Sequence, residues 1–249
     1  SIANLLSLAK DESLSAFLPV PKESRGKYVF FATRRGKVKK TPIDEYANIR
    51  STGIIAINLE PGDSLIGVRT TDGNQQIVLS TREGQAIRFK EEEVRSMGRG
   101  TSGVTGMELD SKSARDGKMI TLTEDEVVSI AVARDDETLL TASENGFGKR
   151  TPASEYRLTH RGGKGVITMD VTEKTGKVVG VLQVDSDAQV VLITDHGKVI
   201  RLGVKHVRIT GRNAQGVHLV KLEPGEKVCA VSPLAEREED DGNGKIAEE

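Results

Sequence analysis

The densest chemical signal in the chain is a run of basic residues around adjacent glycines, His160-Arg161-Gly162-Gly163-Lys164-Gly165. Two neighbouring glycines let backbone amides approach a phosphate closely, while the arginine and the lysine supply positive charge from either side. A loop of this kind contacts nucleic-acid backbones rather than base edges. We therefore expect phosphate binding here, and the alternative is a solvated loop whose glycines only satisfy a turn.

Basic residues also recur on turns and beside glycine loops along the whole chain. If the repeats that carry them are arranged radially, these residues collect on one rim and fit a bent polyanion. An ordinary soluble surface is the alternative for any one of them. The candidate contacts outside 160–165 are Arg34, Arg35, Lys37, Lys39, Lys40, Arg50, Arg82, Arg88, Arg99, Lys149, Arg150, Arg157, Lys198, Arg201, Lys205 and Arg212, and Lys90, Arg95 and Arg208 belong to the same predicted rim.

Other motifs are poor matches to catalytic or metal sites. The run Gly98–Gly103 has the spacing of a dinucleotide-binding loop, but it enters a strand-like segment instead of opening a helix. The four histidines and Cys229 lack zinc-ligand spacing, and the chain has no nucleophile elbow. We expect no catalytic residue, no metal and no cofactor in this chain.

Three signatures repeat along the chain and indicate the elements that position the basic residues. The first is an apolar run, a glycine turn and a basic run, with turn glycines at 36, 84, 146 and 197; it predicts a β-hairpin. The second is a loop that ends in a glycine before an apolar strand, with glycines at 53, 103, 165 and 216. The third is a closing apolar strand, at 61–68, 126–132, 177–184 and 224–231.

The spacing of these signatures predicts the fold class. The second glycines are 50, 62 and 51 residues apart, and the long middle interval places an insertion at 110–124, which is expected to form an extra hairpin or loop. A period of about 50 residues with roughly four strands per unit is typical of an all-β, propeller-like array of blades. We predict a partial blade at 1–20, repeats at about 21–68, 69–132, 133–184 and 185–234, and a tail at 235–249.

Charge and composition complete the outline. Residues 236–249 hold seven acids against Arg237 and Lys245, a net charge of −5; the total of −1 leaves +4 on the preceding residues. We expect this acidic tail to be disordered. A single cysteine forms no internal disulfide, and no apolar run reaches membrane-spanning length, so a cytoplasmic protein is expected.

With these residues in view, the chain up to about residue 234 resembles the C-terminal DNA-wrapping domain of the DNA gyrase A subunit, a β-pinwheel. The family's box has the pattern Q-[KR]-R-G-G-[KR]-G; Arg161 to Gly165 match it, and Thr159 and His160 stand where glutamine and a basic residue belong. The match resembles a second, degenerate box of a later blade. Because the chain lacks an initiator methionine, we expect a fragment that starts in mid-repeat, without the first blade and its complete box.

The resemblance implies a function without catalysis in this chain. The domain is expected to bend double-stranded DNA around its basic rim and so support ATP-dependent negative supercoiling by a type IIA topoisomerase. Expected partners are DNA, the B subunit of gyrase and the rest of its A subunit, with no membrane; ATP and Mg would act elsewhere in the parent enzyme. A nucleoid-associated location follows, and the acidic tail is expected either to compete with DNA or to be inert.

Three alternatives remain. The equivalent domain of topoisomerase IV shares the fold but lacks a good box, and the partial box at 161–165 favours gyrase. A propeller-like protein-interaction module would make the basic rim incidental. An enzyme would need an acid/base or metal site, which these residues do not assemble.

Overall fold

The computed structural model describes residues 27–48, 53–109 and 125–234, together with residues 16 and 18 and the backbone of 112–115 and 118–121. The predicted tail at 235–249, most of the predicted partial blade at 1–20 and Arg50 lie outside the described residues. In the part of the chain that is described, no helix is long and apolar enough to cross a membrane.

Short strands and four 3-10 helices make up the regular structure of the described residues. The strands are β1 (Tyr28–Thr33), β2 (Lys37–Pro42), β3 (Leu65–Thr71), β4 (Gln76–Thr81), β5 (Gln85–Lys90), β6 (Val104–Thr105), β7 (Lys112–Arg115), β8 (Lys118–Thr121), β9 (Val127–Ala133), β10 (Thr138–Ser143), β11 (Phe147–Pro152), β12 (Val166–Ile167), β13 (Val178–Val184), β14 (Gln189–Thr194), β15 (Val199–Gly203), β16 (Val217–His218) and β17 (Val228–Pro233). The 3-10 helices are Ile43–Tyr46, Glu91–Glu93, Ala153–Glu155 and Val204–His206.

Each predicted hairpin forms around its turn glycine. Gly36, Gly84, Gly146 and Gly197 have φ between +77° and +80°, the left-handed region that a residue without Cβ enters freely. The preceding strand of every hairpin has a register shift at its last residue, where it pairs with the closing strand. The same local irregularity at the same place in four repeats shows that one supersecondary unit is repeated.

Four antiparallel sheets form the blades, which confirms the predicted all-β, propeller-like array. Their strand orders are β3-β1-β2-β6, β9-β4-β5-β12, β13-β10-β11-β16 and β17-β14-β15, called here blades 1 to 4. The first strand of each order contacts the corresponding strand of the next blade, so β3, β9, β13 and β17 lie at the inner end. The insertion at 110–124 contains a separate hairpin, β7 paired with β8.

Strand exchange links consecutive blades, and the sequence patterns did not predict it. The two-residue strands β6, β12 and β16 each pair with a strand of the preceding repeat: β6 with β2, β12 with β5 and β16 with β11. We call residues 95–105, 157–167 and 208–218 the exchange segments, since each contains a glycine loop and the exchanged strand that follows it. They form the outer edge of the blades, opposite the inner strands.

The core lies in layers between neighbouring blades. Phe30 of blade 1 packs with Leu79 and Phe89 of blade 2, and Leu139 and Tyr156 of the third repeat pack with Val78 of blade 2. Because neighbours cover both faces of an inner blade, strands such as β4 are buried at consecutive positions instead of at alternate ones. On the other face of blade 1, Ala16 and Leu18 pack beside a smaller cluster.

Candidate nucleic-acid interface

Exposed arginines recur at one register position of the outer edge. Arg95, Arg157 and Arg208 each stand eleven residues after a turn glycine, and all three are exposed. Two residues further on, the amides of Met97, Thr159 and Thr210 donate to carbonyls of the preceding blade at 2.9 Å. The backbone that carries the three guanidinium groups is therefore fixed, while the groups themselves face solvent.

The predicted phosphate loop at 160–165 belongs to the second exchange segment. Its arginine points partly inward: Arg161 Nη1 donates to the Thr105 carbonyl at 2.8 Å and Nε donates to the Glu93 carbonyl at 3.1 Å. The amide of Gly162 donates to the Gly106 carbonyl at 2.6 Å. These groups hold the loop on blade 1 and on the 3-10 helix Glu91–Glu93, which leaves Lys164 and His160 as its exposed basic side chains.

Adjacent exchange segments contact each other through their loop arginines. Arg212 makes the same two contacts as Arg161. Its Nη1 donates to the Ile167 carbonyl at 2.7 Å, as that of Arg161 donates to Thr105, and its amide donates to the Glu155 carboxylate at 3.1 Å, as that of Arg161 donates to the Glu93 carboxylate. Arg99 of the first segment lies 4.0 Å from the Glu45 carboxylate. The three half-buried arginines join neighbouring blades along the outer edge, and their remaining exposed surface adds positive charge there.

Five predicted contacts lie inside the protein, which corrects the expectation of a single continuous rim. Their exposed fractions are between 0 and 7%, so in this arrangement their charges do not reach a phosphate on the outside. The residues are Lys39, Lys40, Arg88, Lys149 and Arg150. Their charged groups donate to backbone carbonyls instead, and Arg88 also forms an ion pair with the Asp135 carboxylate, which offsets part of the cost of burial.

Two of these buried residues, Lys39 and Lys149, hold exchange segments. Lys39 Nζ donates to the carbonyls of Ala56 (2.7 Å) and Arg99, and Lys149 Nζ donates to those of Gly211 (2.7 Å) and Arg212. Burial strips water from both ammonium groups and lowers the pKa of each to about 8. Both lysines are structural cations that lie beneath the glycine loops of the first and third exchange segments.

The other three tie each blade to the 3-10 helix of the next repeat. Lys40 Nζ donates to the Glu91 carbonyl at 3.1 Å, and Arg150 Nε donates to the Val207 carbonyl at 2.8 Å. Arg88 Nη1 reaches two carbonyls, those of Ala153 and Tyr156, at 2.7 and 3.1 Å. The signal for a structural role was a basic residue four positions after every turn glycine. The fourth member, Arg201, is exposed in blade 4, where β15 carries no exchanged strand among the described residues.

Arg34 and Arg82 lie at the inner end of the blades, away from the exchange segments. They line a cavity of about 460 Å³ between the inner strands, together with Glu126, Glu144 and Lys227. Arg82 contacts Glu126 at 3.2 Å and Glu144 at 2.6 Å, Arg34 lies 3.8 Å from Glu126, and Lys227 lies 3.5 Å from Glu144. Burial disfavours the charge of Arg82, but the two carboxylates outweigh it and raise its pKa.

The remaining predicted contacts are distributed over other surfaces. Arg35 and Lys37 line a polar cavity with Glu60, and Lys37 Nζ lies 3.6 Å from that carboxylate. Lys198 Nζ contacts Glu223 at 2.7 Å and Glu226 at 3.2 Å. Lys205 is exposed in the 3-10 helix of the fourth repeat, just before the last exchange segment.

The structure brings together one group of possible metal ligands that their spacing in the sequence did not indicate. His196, Glu223 and Glu226 place ligand atoms within 4.8 Å of one another, although the histidine is 27 residues from the nearer acid in sequence. The Lys198 ammonium already contacts both carboxylates. The pKa of Glu226 is lowered to about 2, chiefly by hydrogen bonds from the Glu223 amide and the Thr194 hydroxyl and, to a smaller extent, by Lys198. This cluster is an ion-pair network around the turn of blade 4.

Comparison with known families decides the relationship. The family model described as the DNA gyrase C-terminal domain, beta-propeller, matches residues 27–72, 75–134, 137–185 and 188–234. The chain belongs to this family. The gyrase C-terminal domain assignment agrees with the resemblance carried by the partial box.

Curated relatives give the same result. The chain is 45% identical over 240 residues to the DNA gyrase A subunit of Klebsiella oxytoca, 47% over 242 residues to that of Deinococcus deserti and 44% over 235 residues to that of Escherichia coli. These matches cover 96, 96 and 94% of this chain but only 26, 29 and 26% of the relatives. The gyrase domain described here thus corresponds to about a quarter of one subunit of a type II topoisomerase.

Solved structures share the fold. A structure of the DNA gyrase A C-terminal domain superposes with a TM-score of 0.80 and 25% identity, covering 94% of this chain and 74% of that one. The C-terminal domain of a DNA topoisomerase IV gives the same TM-score with 26% identity, covering 94% of this chain and 69% of the other. Fold similarity alone therefore does not separate gyrase from topoisomerase IV, whereas the family model and the curated relatives name gyrase.

Proposed function

We propose that this chain binds double-stranded DNA along its outer edge and bends it, as a non-catalytic part of a gyrase that introduces negative supercoils with ATP. The observation that supports this is the register of Arg95, Arg157 and Arg208. They repeat once per exchange segment on fixed backbone, so a polyanion that follows the outer edge meets a guanidinium at each of the three exchange segments.

The interface that we propose is smaller than the predicted rim. It consists of six exposed basic residues of the exchange segments and of the 3-10 helix before the last one, with three half-buried arginines. The exposed residues are Arg95, Arg157, His160, Lys164, Lys205 and Arg208, and the half-buried ones are Arg99, Arg161 and Arg212. The buried cations act by holding these segments in place. Because phosphates carry no sequence information, such a surface binds DNA with weak sequence preference. The wrapped DNA would be passed to catalytic machinery elsewhere in the enzyme.

The salt dependence of DNA affinity tests this proposal. The double variant Arg157→Gln, Arg208→Gln should lower affinity for duplexes of unrelated sequence alike, and the loss of two phosphate contacts should make the log–log salt slope shallower by about 1.8. The control is Arg134→Gln, Lys227→Gln, which removes the same charge from residues that line cavities between the inner strands. Its slope should equal that of the unmodified chain.

Two outcomes would overturn the proposal. Equal slopes for the outer-edge variant and the unmodified chain would assign DNA binding to another surface, and no DNA binding by the unmodified chain would favour the protein-interaction module. Bending is measured separately: ligation of nicked circles in the presence of the chain should leave constrained writhe, and the outer-edge variant should leave less of it.

A further inference from the structure

Each exchange segment fixes one more residue beside its exposed arginine. Ser96, Leu158 and Ile209 follow Arg95, Arg157 and Arg208 directly. All three form an isolated parallel bridge with a basic residue of the preceding blade, and these bridges are Lys40 with Ser96, Arg88 with Leu158 and Arg150 with Ile209. The three positions are therefore equivalent in structure as well as in sequence.

Two of these three side chains are large, apolar and turned toward solvent. Leu158 is 44% exposed and Ile209 is 50% exposed. A single exposed apolar residue on a soluble protein needs no explanation. Here, however, exposed apolar residues occupy the same register position in two consecutive repeats, and each directly follows an exposed arginine. The pair of an exposed arginine and an exposed apolar residue is therefore itself repeated.

The backbone under both apolar residues is held firmly. Arg88 and Arg150 lie beneath the bridges and are themselves fixed by carbonyls of the following repeat. On the far side of each bridge, the amides of Thr159 and Thr210 donate to the same basic strand residues at 2.9 Å. Leu158 and Ile209 are thus presented in a fixed position before any ligand arrives.

We propose that Leu158 and Ile209 insert between base pairs of the bound duplex from its minor groove, and so determine where the DNA bends. This inference rests on the proposed DNA-binding function. Apolar wedges beside arginines that enter the minor groove are a recurring way to kink a duplex. The occupant is DNA rather than an apolar protein surface, because each apolar residue directly follows an exposed arginine, Arg157 or Arg208, and an exposed lysine, Lys164 or Lys205, lies within six residues of it in sequence.

Fluorescence of 2-aminopurine tests the insertion directly. The probe is a 40-base-pair duplex with 2-aminopurine at TA steps about ten base pairs apart, since pyrimidine–purine steps unstack most easily. Binding of the 249-residue chain should raise the fluorescence as base pairs unstack. The double variant Leu158→Ser, Ile209→Ser should lose most of that rise, while its affinity in an anisotropy titration changes by less than about threefold, because unstacking offsets the burial of the apolar side chains.

Ser96→Leu is the matched gain-of-function variant. Ser96 is exposed at the equivalent position of the first exchange segment, so a leucine there should increase the fluorescence rise. Binding by the unmodified chain without a fluorescence change, or an undiminished rise in the double variant, would overturn the insertion while leaving the DNA-binding function intact. Absence of any anisotropy change for the unmodified chain would instead overturn the proposed function itself.

Discussion

At the residue scale, the ammonium groups of Lys39 and Lys149 couple protonation to folding. Each holds two backbone carbonyls in the interior, and burial lowers the pKa of each to about 8 from an ordinary value of 10.5. Between these two pH values the unfolded chain keeps a proton on each lysine that the folded chain has released. Because the unfolded state then binds more protons, the free energy of unfolding rises with pH across this window.

The double variant Lys39→Ile, Lys149→Ile should lose this rise. Isoleucine is tolerated at the position because Ile87 occupies it in blade 2 and is buried there. Denaturant titrations at pH values between about 8 and 10 measure the free energy of unfolding of the variant and of the unmodified chain. Tyrosines titrate near pH 10 in both proteins, so the difference between the two pH profiles reports the two lysines alone. Parallel pH profiles for the variant and the unmodified chain would contradict the lowered pKa values.

At the element scale, each exchange segment depends on one glycine that contacts the strand beneath it. Gly103, Gly165 and Gly216 have φ between +79° and +89°, and a Cβ on any of them would lie 2.3 Å from a carbonyl oxygen of the preceding blade. Such a distance is inside the contact limit of any two non-bonded heavy atoms. These three glycines are therefore needed for the close approach of one backbone to another.

A pair of alanine substitutions separates close contact from backbone strain. Gly53 has nearly the same positive φ as Gly165, but a Cβ there meets no atom of the described residues within 4 Å. We expect Gly53→Ala to lower the free energy of unfolding by about 1–2 kcal/mol through the left-handed backbone alone. Gly165→Ala should cost about 4 kcal/mol or more, because β12 must also move away from β5.

Thermal and denaturant unfolding of the two variants measure the difference. Similar losses in both would mean that the exchanged strand adjusts freely, and the fixed geometry that we ascribe to the outer edge would be wrong.

At the scale of the whole molecule, a chain of ion pairs links the inner ends of the blades. It runs from Arg34 through Glu126, Arg82 and Glu144 to Lys227, and so includes residues of all four repeats. Glu144 is its least exposed member, with 13% of its side chain accessible. Partly buried pairs of this kind are screened less by salt than surface pairs, and their hydrogen bonds are stronger.

Glu144→Gln should lower the free energy of unfolding by about 1–2 kcal/mol at low ionic strength and by less at high salt (about 1 M), because Arg82 loses one of its two carboxylate partners and Lys227 loses its ion pair with Glu144. The control is Glu92→Gln, which breaks a pair in which both side chains are more than half exposed, and it should change stability by less than about 0.5 kcal/mol. Equal effects of the two substitutions would show that the inner ion pairs do not stabilise the blades together.

The sequence predicted the repeat and its hairpins because turn glycines and apolar runs are local signals. It did not predict strand exchange, since the distance from turn glycine to second glycine is the same whether the exchanged strand returns to its own sheet or to the preceding one. It misplaced Lys39 and Lys40 because consecutive charges suggest an exposed strand, whereas a blade covered on both faces buries both. The exposed arginines at 95, 157 and 208 were visible as recurring cations, but only the fold separates them from the buried ones.

Strand exchange also has a consequence for how such arrays change in length. Because each sheet of blades 1 to 3 takes its outermost strand from the repeat that follows, the sequence repeat and the folded sheet are offset from each other. An inserted copy receives a strand from its successor and gives one to its predecessor, so gain or loss of one copy leaves no new unpaired edge inside the array. Blade number in proteins of this design is therefore free to vary between lineages without redesign of any single blade.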